Sequence, residues 1–306
     1  MDRFSPEGTP GAREVGTFSS LSQITDAIDT GAIFEGPVLK CDSAYNLLLD
    51  LGAAQGVLPF AESAIGADCG RVREISVITR VGRSVCFAVT ELQKTTGGQY
   101  RALLSRRQVQ LRCQQEFLDA LVPGDVIDAV ITHFEPFGVF VDIGCGIVSL
   151  LPIDCISVSR ISHPKDRFYP GQHIRVVVTG RDQLGRITLS HKELLGSWEQ
   201  NAADFSAGDT VFGTVRSIEN YGVFVELRPN LAGLAELKDD VQVGDRVSVY
   251  IKSIIPEKMK IKLIIIDTLS PAPAPREKLR YYFTGSHMDQ FCYSPAGCLK
   301  QVHTQF

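Results

Sequence analysis

The sequence predicts an all-β protein made of tandem five-stranded barrels, three repeats in a row with short helical connectors. Three observations carry this. Short β-rich runs alternate with Gly/Pro/Asp turns at the close, regular spacing typical of small barrels or sandwiches. The run "EPFGVFVDIG" at 135–144 returns 84 residues later as "ENYGVFVELR". The likeness extends well beyond that run: "PGDVIDAVITHFEPFGVFVDIGCGIVSLLP" matches "AGDTVFGTVRSIENYGVFVELRPNLAGLAE", with Gly124–Asp125 falling on Gly208–Asp209. Self-similarity at a fixed period marks a repeat architecture.

Each copy closes with a second Gly-led strand, "PGQHIRVVVTGRDQLGRITLS" and "VGDRVSVYIKSIIPEKMKIKLII". A fainter copy precedes them, "EGPVLKCDSAYNLLLDLGAAQGVLPF" and later "SVCFAVTELQKTTGGQYRALLSRR". A unit of roughly 70–85 residues with some five strands fits the five-stranded Greek-key barrel of the oligonucleotide-binding (OB) kind. The expected organisation is a disordered tail and short helix at 1–30 and a divergent repeat at 31–118. A repeat with its helical connector follows at 119–200, then a third repeat at 201–268. A Pro/Ala linker and an aromatic, Cys- and His-containing tail occupy 269–306. The first 18 residues read as disordered because they are polar and rich in Gly and Pro. "SSLSQITDAIDTG" reads as a helix with a serine cap and Gly31 as its stop. "HKELLGSWEQNAADF" reads as the connector between repeats two and three, with Trp198 packed on a barrel.

At 44% hydrophobic and 22% charged residues, the composition is that of an ordinary globular chain. No apolar run is long enough to span a bilayer, and no secretory signal is visible. The 8 cysteines stand singly, as suits a reducing, cytoplasmic setting. The net charge of −4 does not advertise a nucleic-acid binder, but it is uneven. Residues 71–112 hold nine Arg or Lys against two acids, whereas 201–251 hold four against eight.

Strand parity suggests what the repeated motif presents. Val139, Val141 and Ile143 share one face, and Phe140 shares the other with Asp142. Likewise Val223, Val225 and Leu227 oppose Phe224 and Glu226. The face with the phenylalanine and the acid is expected to be the solvent side. Phe137 and Phe140 lie an odd number apart, so a bulge at Gly138 is expected to bring both rings to one side, and one at Gly222 to do so for Tyr221 and Phe224. Two exposed rings form a platform for unstacked bases. In the closing hairpin Ile187 and Leu189 face inward, and Gly185 turns Arg186 outward toward phosphate or base. Asp182 either bonds a ribose or caps the turn. The matching face offers Lys260 and Lys262 in the third copy, and Arg101 with Ser105 in the first, where Tyr45 holds the place of the leading ring.

These residues bring in a family. The pattern GD-V-x-G-x-V, FGVFV, a Gly-rich turn, G-L/V-x-x-L, GQ/GD-V and D-x-x-G-R-I-x-L-S resembles the RNA-binding repeat of S1, the largest bacterial small-subunit ribosomal protein. The resemblance covers roughly residues 31–268 and is strongest over 122–192. It implies OB barrels that take single-stranded RNA, with Phe137, Phe140, Asp182 and Arg186 as contact residues. It also implies partnership with mRNA and the small ribosomal subunit, and a bacterial source. The departures are Pro152 and Glu236 where the family often has histidine, and Pro256 and Lys260 for the aspartate and arginine. In copy one, Asn46 replaces the glycine and Leu48 the phenylalanine.

Other chemistry is sparse. "GCGIVS" begins like a dinucleotide fingerprint but lacks the third glycine and a crossover helix. No catalytic motif or paired carboxylates stand out, so neither enzyme activity, a cofactor, a small-molecule substrate nor a membrane partner is expected. His287, Cys292, Cys298 and His303 are the one set with zinc-ligand chemistry, at spacings looser than a knuckle; a small β-hairpin is the plainer reading. The tail aromatics Tyr281, Tyr282, Phe283, Phe291 and Tyr293 are expected on the third barrel. The function expected is single-stranded RNA binding in translation. The alternative is a protein-docking adaptor on ribosomes or RNA-processing complexes, with RNA incidental.

Overall fold

The computed structural model describes residues 2–269 and 279–306. The Pro/Ala tract at 270–277 lies outside the described residues. Two units emerge, residues 1–121 with 128–130 and 142–148, and the rest of the chain.

The first unit begins with a short strand, β1 (Glu14–Val15), and helix α1 (Leu21–Thr30). Ser20 caps α1 by accepting from the Gln23 N–H, and Gly31 ends it at φ 58, left-handed backbone that glycine adopts freely. Strands β2 (Phe34–Cys41), β3 (Leu47–Asp50) and β4 (Gln55–Leu58), helix α2 (Glu74–Ile78), strands β5 (Ser84–Lys94) and β6 (Tyr100–Ser105) and helix α3 (Arg106–Glu116) follow. The sheet runs β1-β2-β3-β4-β6-β5, and β2 pairs with β5 to close it. Alternate residues of each strand (Val38, Leu47, Leu49, Val85, Phe87, Val89, Ala102, Leu104) fill the interior together with Ile24 of α1.

The leader, expected to be disordered over residues 1–18, is instead built into this unit over residues 2–18. Phe4 and Phe18 are buried, and β1 adds a parallel strand alongside Phe34 and Glu35. Arg13 is sealed against Glu35, its Nε donating at 2.9 Å. Glu7 accepts from Arg106 Nε at 2.6 Å and Nη2 at 2.9 Å and from the Cys86 N–H at 3.0 Å, with Arg80 at 3.4 Å. Burial raises the Glu7 carboxyl, but the Arg106 and Arg80 charges overcome it and hold the group well below the usual carboxylate range. A low content of apolar residues suggested disorder because buried ion pairs leave no hydrophobic signature. The basic stretch 71–112 is likewise not a free patch: Arg80 and Arg106 meet Glu7, Arg107 meets Glu62, and Arg112 donates to the Gly31 carbonyl.

The second repeat contributes β7 (Val126–Glu135), β8 (Gly138–Gly144), β9 (Ile147–Pro152), β10 (His173–Arg181) and β11 (Ile187–Ser190), in the order β11-β10-β7-β8-β9. This sheet is open between β9 and β11, where the Ser149 hydroxyl donates to the Ile187 carbonyl at 2.6 Å. "GCGIVS" is the β8–β9 turn and the start of β9. Helix α4 (Trp198–Ala202) carries a capping box at Ser197 and buries Trp198 against the third barrel. That barrel is closed, β12-β13-β14-β16-β15, from β12 (Thr210–Glu219), β13 (Gly222–Arg228), β14 (Leu231–Ala235), β15 (Arg246–Ile255) and β16 (Lys260–Thr268).

The tail forms a small hairpin, β17 (Gln290–Cys292) and β18 (His303–Gln305). Tyr293 and Phe291 pack on the third barrel as expected, but Tyr281 and Phe283 pack with Val177, Leu194 and Met288 of the second repeat's side. Backbone bonds from Val126 to Ser286 and from Met288 to Gly124 add the tail to β7's edge. Beneath it His191 is fully buried. Its Nδ1 lies 2.8 Å from the Ile156 carbonyl and so donates, leaving Nε2 to accept from the Tyr281 hydroxyl at 3.2 Å.

Two outcomes are expected. Glu7→Gln leaves the buried Arg106 uncompensated and should cost the first unit about 3–5 kcal/mol in urea unfolding. Burial lowers the His191 pKa to about 4. Stability is therefore complete above about pH 6.5, the unfolded value, and falls by about 3 kcal/mol as pH drops toward 4. His191→Gln should flatten that decline in denaturant titrations at pH 7 and pH 5.

Candidate nucleic-acid interface

The twin motif places its rings outside the barrel. Val139, Val141, Val223 and Val225 are completely buried, while Phe137 is 56% and Tyr221 65% exposed. Phe140 and Phe224 are half-buried on the outer face. In each repeat the two rings meet edge-on. The Phe137 and Phe140 centroids are 6.4 Å apart at 87°, and Tyr221 and Phe224 are 6.1 Å apart at 89°.

The device that puts them on one side differs from the bulge expected at the glycines. Phe137 and Tyr221 belong to two-residue turns, outside the strand alternation. In the third repeat the register shift sits on the opposite strand, between Val215 and Ser217. The glycines answer another need. A Cβ at Gly138 would come within 2.5 Å of the Leu151 carbonyl oxygen, and one at Gly222 within 2.5 Å of that of Ala235. Neighbouring strand backbone lies too close for any side chain.

The acids of the motif are not on a solvent face, contrary to expectation. Asp142 is 3% and Glu226 7% exposed. Asp142 accepts from the Glu7 and Gly144 N–H groups at 2.8 Å and from Gly146 at 3.0 Å, so it shapes the hairpin tip within the first unit. Burial, then the Glu7 charge, pushes its pKa up. Glu226 receives both guanidinium nitrogens of Arg167 and, at 3.0 and 3.1 Å, those of Arg216. Burial raises its pKa, and the two arginines more than reverse this.

Arg186 projects outward, its side chain 72% exposed. Asp182 accepts from the Leu184 and Arg186 N–H groups at 2.9 Å and from Arg186 Nε at 2.7 Å. It therefore caps the turn and steadies the guanidinium, and these bonds, the Arg186 N–H foremost, hold its carboxyl below the ordinary range. In the third barrel Phe224 lies opposite Leu234, which lies opposite Lys262 on β16. Directly opposed residues share a face, so Lys262 stands in the same outer row as the ring. Lys260 precedes it on that face and is exposed. In the first barrel Arg101 is exposed in a row with Gln55 and Asp50. Ser105 is buried as the cap of α3.

Three residues, Phe60, His133 and His163, were not anticipated. Tyr45, at φ 62, finds its partner in Phe60 rather than at Leu48, with centroids 6.2 Å apart. The ring pair of the first repeat is thus completed from the turn that follows β4, and the "LPF" that ends that strand was the signal. His133 stacks near Phe140 at 6.3 Å, with Nε2 2.8 Å from Glu135. His163 stacks on Phe134 at 6.4 Å. His133 thus flanks the second ring pair.

His287, Cys292, Cys298 and His303 do not converge. His287 pairs with Asp125 at 2.7 Å, Cys292 faces His303 across the hairpin, and Cys298 is buried. Among the described residues no group of three or more His, Cys, Asp or Glu is placed to hold a metal. No helix there is long and apolar enough to cross a membrane.

Small barrels that turn paired rings and a cation outward define a class of nucleic-acid-binding modules. Comparison with known proteins agrees. Residues 121–192 match the S1 RNA binding domain family. The chain is 32% identical over 192 residues to the small ribosomal subunit protein bS1 homolog of Bacillus subtilis, across 61% of this chain and 48% of that one. It is 28% identical over 288 residues to bS1 of Staphylococcus aureus strain COL (87% and 71%) and 28% over 239 residues to bS1 of Rhizobium meliloti (72% and 40%). The chain thus spans about half the length of the Bacillus relative and less of the rhizobial one. Residues 121–192 thus carry an S1 RNA binding domain, and the chain as a whole is similar to ribosomal bS1 proteins.

Proposed function

We propose that this protein binds single-stranded RNA and acts in translation, holding mRNA at the small ribosomal subunit as its bS1 relatives' names suggest. The observation that carries the reading is the outward ring pair of repeats two and three, in barrels whose closing hairpins also expose Arg186, Lys260 and Lys262. In repeats two and three, rings set at right angles offer one face to a base and one edge to its neighbour, which suits strands without fixed sequence. Arg186, Lys260, Lys262 and Arg101 supply phosphate contacts. The role is binding rather than catalysis.

The adaptor reading has one observation in its favour, the exposed Tyr250 and Ile264 paired across β15 and β16 of the acidic third repeat. Pull-downs before and after ribonuclease separate the two: partners that survive digestion favour docking on protein.

Phe137→Ala with Phe140→Ala should weaken oligouridylate binding by a few kcal/mol, at roughly 1–3 kcal/mol per stacked base, with the thermal midpoint nearly unchanged. Unchanged affinity in anisotropy titrations would remove the central support. Arg186→Ala should lower the slope of log K against log salt by about 0.7 if it neutralises one phosphate.

A further inference from the structure

Within the second unit, a cleft of about 350 Å³ lies where the 165–172 loop of repeat two meets the outer face of the third barrel. Its size falls in the range of small-ligand sites. On one side Phe212 is 57% exposed and carries the Arg246 guanidinium 5.1 Å from its ring centroid. On the other side Tyr169 is 39% exposed and Lys165 is exposed. The floor is Glu226, whose charge Arg167 and Arg216 already neutralise. Among the described residues neither Lys165 nor Arg246 makes an ion pair, so two cations face the cleft beyond those the floor consumes.

The cleft adjoins the third platform. Glu226 follows Phe224 by two residues on the same face of β13, roughly 7 Å along a strand. Planar rings with an unmatched positive charge recognise an aromatic base carrying a phosphate. We infer that this cleft is a nucleotide site, base against Phe212 and phosphate on Arg246 and Lys165, through which an RNA strand passes between repeats two and three. The inference rests on the RNA-binding reading and extends it to residues outside the ring pairs.

The test uses the full chain and Phe212→Ala with Arg246→Ala, checked for an unchanged thermal midpoint. Binding of an 18-residue oligouridylate, of UMP and of ATP is measured, alongside Phe137→Ala with Phe140→Ala. The expected result is at least about a fivefold loss for the 18-mer, the factor of one stacked base at its weak end, together with crosslinks from 4-thiouridine RNA to Phe212 or Tyr169. Mononucleotide binding lost in the variant, with the 18-mer unaffected, would keep the site and reassign its source to a free nucleotide. No loss for any ligand and no crosslink in the cleft overturns it, even where the Phe137 and Phe140 variant loses RNA. A wild-type chain that binds no RNA overturns the functional reading instead, and the mononucleotide arm then decides the cleft alone.

Discussion

The interior of a five-stranded barrel has room for one parity of side chains on each strand, and nearly every feature of this molecule follows from that limit. Valine and isoleucine take the inner positions at 139, 141, 223 and 225 and are completely sealed. Whatever stands between them must go outward. A phenylalanine there cannot retreat into the core, because alternation gives the inner positions to the valines on either side of it. Outward rings are thus a steric consequence of closure, and a nucleic-acid surface is what such rings make.

Going outward does not mean meeting water. Asp142 and Glu226 occupy equivalent outer positions, yet both are covered, one by the N-terminal segment within its unit and the other by two arginines. Buried carboxylates of this kind contribute little net stability because desolvation opposes the attraction, but a single unpaired member is costly. Their effect is geometric. Glu226 lets the 165–172 loop seat on the third barrel in one way only, and that seating shapes the cleft beside Phe212. Glu7 does the same for the N-terminal segment, arranging Arg106, Arg80 and the Cys86 backbone around one group.

Much of the architecture was legible in the chain. The recurrence of Gly-Val-Phe-Val, the Gly-led closing strands and the Ser20–Gly31 helix limits are local signals, and local physics produces them. The ring pairs of repeats two and three were legible for the same reason, though their mechanism lies in a two-residue turn rather than a bulge. Phe60 was harder: its pairing with Tyr45 joins the loop before β3 to the turn after β4, and no alternation rule connects them. Nothing in the sequence singles out His133 or His163, because sequence distance hides a ring stacked from the adjacent strand or loop.

What the sequence determined alone is periodic: which side chains point into a barrel, where turns fall, and that three such units follow one another. Tertiary structure decided everything that depends on partners far apart in the chain. It turned a polar leader into a buried ion-pair segment, drew Arg80, Arg106, Arg107 and Arg112 of an apparently basic patch into internal bonds, and spread the aromatic tail across two repeats. Alternation is encoded by neighbours and survives in any context, whereas the environment of a charge is set by whatever the fold brings against it.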